Sequence, residues 1–148
     1  GRAVGTIKCG LCVVPPKEVW GQIQQVREQH DRYHSLWMPH INLKYPVLLT
    51  QPQVDLLPLL LAEALRNSPP FNVSLDSFGT FQHPLSTMLW ARPSQGQFEL
   101  RHLHFVLSQV FPFARDYAEG REMEGVDEYE PHLCLGQWST IQEAEAFQ

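Results

Sequence analysis

Apolar and polar positions alternate in short runs, and longer stretches with helical spacing separate those runs. Thr6 to Val14 is rich in β-formers and predicts a strand, which Pro15-Pro16 ends. Pro16 can open a helix reaching about Gln29, with Val19, Trp20, Ile23 and Val26 close to the 3.6-residue period. After the polar loop Asp31 to Ser35, Leu36-Trp37-Met38 leads into a strand that Pro46 closes. A second helix is expected from about Val54 to Arg66. It is apolar nearly all round and so predicted to be well buried, and Pro58 falls in its first turns. Phe71 to Phe81 predicts a long strand with Gly79 as a bend or bulge.

The order then recurs. Thr87 to Ala91 predicts a strand, Pro93-Ser94-Gln95-Gly96 a turn, and Phe98 to Val110 a helix carrying Leu100, Leu103, Val106, Leu107 and Val110. A loop from Pro112 to Glu130 precedes another strand, and Ser139 is the expected N-cap of a last helix containing Glu143 and Glu145. Both halves, about 4–82 and 87–148, read strand, helix, strand, helix within a single domain. The second half has no counterpart of the Phe71–Phe81 strand, which is either absent or outside this sequence.

Composition narrows the class. The 148 residues are 43% hydrophobic and 18% charged, as in a globular domain with a substantial core. A net charge of −5 argues against a broad, sequence-independent grip on nucleic acid, which needs a basic face. A local pocket for one or two phosphates is still compatible with it. Three cysteines are too few for a disulfide framework, and no apolar run approaches a membrane span. No secretory leader is read at the start, so the protein is expected inside the cell, cytoplasmic or nuclear, without membrane association and monomeric.

The chemistry lies in a repeated pentapeptide, Pro39-His40-Ile41-Asn42-Leu43 and Pro131-His132-Leu133-Cys134-Leu135. Strand alternation sends Ile41, Leu43, Leu133 and Leu135 to a core. It leaves His40, Asn42 and Lys44 on the other face of one strand, and His132, Cys134 and Gly136 on the other face of its counterpart. Imidazole titrates near neutrality, so of two facing histidines one can take a proton while the other gives one.

The two motifs and the order of elements resemble the two-histidine (2H) phosphoesterase superfamily, which includes the 2′-5′ RNA ligase-like proteins and cyclic phosphodiesterases. The resemblance spans nearly the whole chain. It implies an α+β, two-lobed, pseudo-duplicated fold, with antiparallel sheets lining a central cleft and helices outside. It also implies a metal-independent phosphodiesterase with no cofactor, acting on 2′,3′-cyclic phosphates or 2′-5′ linkages of a nucleotide or RNA end. His40 and His132 take its catalytic places. Its phosphate-binding hydroxyl positions fall on Asn42, which keeps an amide donor, and on Cys134, which offers only a weak S–H donor. Lys44 is the cation expected to help hold phosphate, with a solvated lysine at the strand end as the plainer role. The alternative is a catalytically weakened module that binds nucleotides, RNA ends or a protein partner.

Several other groupings read as structure. Cys9-Gly10-Leu11-Cys12 places its thiols on opposite faces of a strand and predicts buried, unpaired cysteines. His102 and His104 diverge on a helix and read as solvent-face residues, and His83 as a turn residue. Trp37 is expected in the core, with Tyr33 and His34 as candidates to stack a base. Asp116, Glu119, Glu122, Glu124, Asp127, Glu128 and Glu130 predict either a solvated loop, a lid excluding long RNA, or a docking surface for a basic partner.

Overall fold

The computed structural model describes residues 5–113 and 129–148. The acidic residues from Asp116 to Glu128 lie outside the described residues; the loop's last member, Glu130, lies inside them.

The described residues form ten elements: β1 (Ile7–Val13), a 3-10 turn (Lys17–Val19), α1 (Trp20–His30), β2 (Ile41–Leu49), α2 (Gln51–Ala64), β3 (Ser77–Gln82), β4 (Thr87–Arg92), α3 (Gln97–Val110), β5 (Leu133–Trp138) and α4 (Ile141–Phe147). The strands form one five-stranded sheet in the order β1-β2-β5-β4-β3, antiparallel throughout. Its outer ladders are long, whereas β2 and β5 meet in the centre at the single register pair Ile41↔Leu133.

The alternation works as the sequence implies. Ile41 and Leu43 of β2, Leu89 and Ala91 of β4, and Leu133 and Leu135 of β5 form one buried cluster with Leu100 and Leu107 of α3 and Ala144 of α4. Ile23 and Val26 of α1 and Leu61 of α2 pack against the same cluster. All four helices therefore contribute to one side of the sheet, and the opposite side belongs to the alternate residues, His40 and His132 among them.

Several expectations are corrected. β2 runs through Pro46 to Leu49, because the β1–β2 register shifts between Cys9 and Leu11 and no ladder partner falls on Tyr45 or Pro46. α2 starts earlier, at a capping box in which Thr50 and Gln53 satisfy each other's backbone N–H groups. No residue of α2 is buried, and Leu59 is 71% exposed; only Val54, Leu57 and Leu61 reach the core clusters. Thr140, not Ser139, caps α4 by accepting from Glu143 N at 3.2 Å. The strand expected from Phe71 is regular only from Ser77. Trp37 is 51% exposed and Cys12 is exposed, against the core expected of them, whereas Cys9 is half-buried and packs against the cluster of Val47, Leu49 and Phe111. His104 is half-buried because its ring stacks on Tyr129 at 4.2 Å. Among the described residues, no helix is long and apolar enough to cross a membrane.

Gly79 is also corrected. Its strand pairs in regular register, Gly79↔Trp90, with no bulge. A Cβ there would come within 2.4 Å of the Trp90 indole, so the glycine makes room for a flat aromatic across the strand pair. Gly79→Ala is expected to lower stability by about 1–3 kcal/mol through overpacking. Denaturant midpoints of the two proteins check this.

Candidate active site

Each histidine enters its strand through a fully buried proline, Pro39 or Pro131. Each is also tied in the same way. Nδ1 of His40 lies 2.7 Å from the carbonyl oxygen of Met38, and Nδ1 of His132 lies 2.8 Å from that of Glu130. A carbonyl only accepts, so Nδ1 carries the hydrogen in both rings. Proton transfer at either ring would then run through Nε2. The repeated Pro-His sequence thus becomes a repeated local geometry.

Register brings the two rings together. Counted outward from the single pair Ile41↔Leu133, antiparallel register sets His40, just before β2, opposite Cys134, and His132, just before β5, opposite Asn42. The four residues form a checkerboard on the helix-free side, with the histidines as diagonal neighbours. Diagonal positions lie about 7–8 Å apart, which suits two groups acting on opposite sides of one atom. The outer ladders extend the rows. Cys12 pairs with Asn42, Trp90 with Cys134 and Gly79 with Trp90. The step Ala91↔Leu133 sets Arg92 beside His132.

Aromatic side chains wall one flank. Phe81 and Trp90 stack at 4.9 Å, and both meet His132 edge to face, at 5.2 and 5.6 Å. On the other flank a buried network begins at the end of α1. Arg27 pairs with Asp31 at 2.9 Å, and also donates to Gln24 and to the carbonyl of Trp37, just before the first motif. Gln137 donates to Asp31 at 3.2 Å and to the Cys134 sulfur at 3.6 Å, and accepts from Arg32. One ion pair therefore bonds Trp37, two residues before the first motif, and, through Gln137, is linked to Cys134 of the second.

Gln137 reaches Cys134 because β5 carries an irregularity. Leu89 pairs with Gly136 and Trp90 with Cys134, so one residue is skipped and the alternation reverses. Gly136 has φ 157°, and a Cβ on it would lie 2.8 Å from the backbone of His30. Strict alternation hides Gln137; the glycine at 136 was its only sequence signal.

Lys44 is not on this face. β1 pairs Leu11 with Lys44 and Cys12 with Asn42, so Leu43 and Lys44 together oppose one residue and both turn toward the helices. Lys44 is 4% exposed, and its ammonium donates to Ser108 of α3 at 3.2 Å. Tyr33 is exposed beneath the Arg32 guanidinium at 5.8 Å, and His34 is half-buried; neither ring contacts His40 or His132. Asn42's carboxamide makes no hydrogen bond among the described residues, while its backbone carbonyl accepts from Tyr129 at 2.5 Å. Arg101 holds the approach to His132 by donating to the Tyr129 carbonyl and pairing with Glu130 at 2.9 Å. The Cys12 thiol is pushed up by partial desolvation. Among the described residues no three His, Cys, Asp or Glu side chains group as metal ligands.

Comparison with known proteins places the chain in a family. The family model of the 2′-5′ RNA ligase superfamily matches residues 15–148. "Putative phosphoesterase GK0864" of Geobacillus kaustophilus (strain HTA426) is 25% identical over 128 residues, covering 82% of this chain and 73% of its own length. "Putative phosphoesterase" of Geobacillus thermodenitrificans (strain NG80-2) is 26% identical with the same coverage. The family match takes in both histidine motifs and all of the sheet except β1: the chain belongs to the 2′-5′ RNA ligase superfamily of 2H phosphoesterases.

Proposed function

We propose that this protein is a metal-independent phosphodiesterase that opens 2′,3′-cyclic phosphates or cleaves 2′-5′ linkages at nucleotide or RNA ends. Membership of the superfamily and relatives named as phosphoesterases support phosphoesterase chemistry. The observation that carries the finer reading is the pair of imidazoles on adjacent central strands, each with Nδ1 committed to a carbonyl. The helix-free face forms the cleft, and the sheet's narrow junction at Ile41↔Leu133 is its floor.

With a cyclic phosphate, the Nε2 of one histidine takes a proton from water as the water oxygen bonds to phosphorus. The Nε2 of the other, protonated, gives its proton to the departing ribose oxygen as the P–O bond breaks. The product is a ribose phosphomonoester, and solvent resets the two rings. In an internucleotide cleavage the base takes the proton of a ribose hydroxyl instead. Asn42 donates its amide to a non-bridging oxygen of the phosphorane-like transition state. Cys134 stands in the matching place with a weaker donor, and Gln137, donating to its sulfur, leaves the S–H hydrogen directed elsewhere.

The test is turnover of a nucleoside 2′,3′-cyclic monophosphate and of a short RNA ending in that group, with EDTA present. Turnover of neither sinks the reading. Cys134 favours a second reading, a weakened module that holds phosphate ends without cleaving them. Tight binding of a nucleotide 2′- or 3′-monophosphate without hydrolysis selects the module. A hydroxyl donor to a developing oxyanion is worth about 2–4 kcal/mol. Cys134→Thr is accordingly expected to raise kcat by roughly 10-fold or more, with steady-state kinetics as the check.

A further inference from the structure

We infer that Arg92 is a specificity residue that holds a second phosphate of the substrate, one beyond the phosphate on which the histidines act. The inference rests on the phosphodiesterase reading and adds a substrate class to it, oligonucleotide ends with at least two phosphates.

Half of the Lys and Arg side chains among the described residues are already committed. Arg27 pairs with Asp31, Arg101 with Glu130 and Arg66 with Glu63, while Lys44 is buried against Ser108. Arg92 is exposed, and no carboxylate pairs with it among the described residues. Its position is nevertheless defined. The guanidinium lies over the Trp90 ring, 5.0 Å from its centroid, and that ring stands edge to face with His132. Its backbone is pinned by Ser77, whose hydroxyl donates to the Arg92 carbonyl at 3.3 Å. Trp90 is 2% exposed, and its indole N–H has no acceptor among the described residues. Among the described residues, this corner therefore holds a guanidinium and a buried donor but no paired carboxylate.

The row order sets what Arg92 can reach. Leu133 of β5 pairs with Ile41 of β2 and Ala91 of β4, so one step along the register Asn42, His132 and Arg92 fall in one row. Neighbouring strands are about 4.8 Å apart, so Arg92 lies one strand beyond His132 and about two beyond the strand of His40. A phosphate between the histidines is held from β2 and β5. The planar fork of Arg92 then points where the next phosphate of a chain would lie, and it suits phosphate oxygens. A mononucleotide has nothing to place there.

The experiment is calorimetric titration with two unreactive ligands, a mononucleotide 3′-monophosphate and a dinucleotide carrying the same 3′-phosphate. Arg92→Gln is expected to weaken the dinucleotide about 10-fold and the mononucleotide less than twofold. It should also lower the salt slope for the dinucleotide by about one. Arg92→Lys should restore the slope. Equal weakening of both ligands overturns the inference, because Arg92 would then serve the reacting phosphate. So does binding of both ligands unchanged by Arg92→Gln. If neither ligand binds the unaltered protein, the phosphodiesterase reading itself fails, and this inference with it.

Discussion

His40→Ala and His132→Ala are each expected to lower kcat/KM on a 2′,3′-cyclic phosphate by about 10²–10⁴-fold, the range of a single positioned acid or base. The loss should fall on kcat, because the phosphate keeps Asn42 and the remaining ring. The pH profile separates catalysis from structure. The unaltered protein requires one neutral and one protonated ring, so kcat/KM should rise and then fall with pH. Each variant should lose one limb of that bell, and the two variants should lose opposite limbs. This also assigns acid and base, which the matched Nδ1 contacts to Met38 and Glu130 leave symmetric. His132 additionally packs on Phe81 and Trp90, so the His132 variant should also lose stability, and the His40 variant much less. Steady-state rates across pH, with a melting curve for each protein, provide the check. Activity that survives in both variants would remove the histidines from the mechanism.

Breaking the ion pair beneath the site should have the largest effect on stability. The side chains of Arg27 and Asp31 are 2% and 3% exposed, and their 2.9 Å contact is flanked by bonds to Gln24, the Trp37 carbonyl, the Tyr33 N–H and Gln137. Removing one partner leaves a buried charge with no counter-ion. Arg27→Ala or Asp31→Ala is therefore expected to cost about 3–5 kcal/mol, seen as a lowered denaturant midpoint. Replacing both with apolar residues of similar size, Arg27→Met with Asp31→Leu, should recover most of that stability, since no isolated charge remains. Activity should not recover with it. The double variant still lacks the hold on the Trp37 carbonyl before His40 and on Gln137 beside Cys134. A stable but slow double variant would show that the pair positions both motifs. A stable and fully active one would reduce it to a structural pair.

Much of the site was legible because strand alternation is local. Residues two apart share a face, so Pro-His-x-x-Leu, read twice, already separates Ile41, Leu43, Leu133 and Leu135 from His40, Asn42, His132 and Cys134. Helix spacing similarly located α1 and α3. The errors arose where alternation breaks or where a neighbour distant in sequence decides. The irregular β1–β2 pairing turned Lys44 inward, and the skipped residue in β5 brought Gln137 to the site face. The apolar circumference of α2 suggested deep burial, but periodicity does not report how many sides of a helix find partners.

The amino-acid sequence by itself determined that two Pro-His strands exist, which side chains each sends away from the core, and that the chain resembles a two-histidine phosphoesterase. Only the tertiary structure decided that those strands adjoin at Ile41↔Leu133, that Trp90 and Phe81 wall His132, and that Lys44 turns to Ser108 while the Arg92 guanidinium lies over Trp90. The reason is physical. Alternation follows from the geometry of one chain segment, whereas cross-strand register and its bulges depend on segments far apart in sequence, whose packing is settled only when the whole sheet assembles.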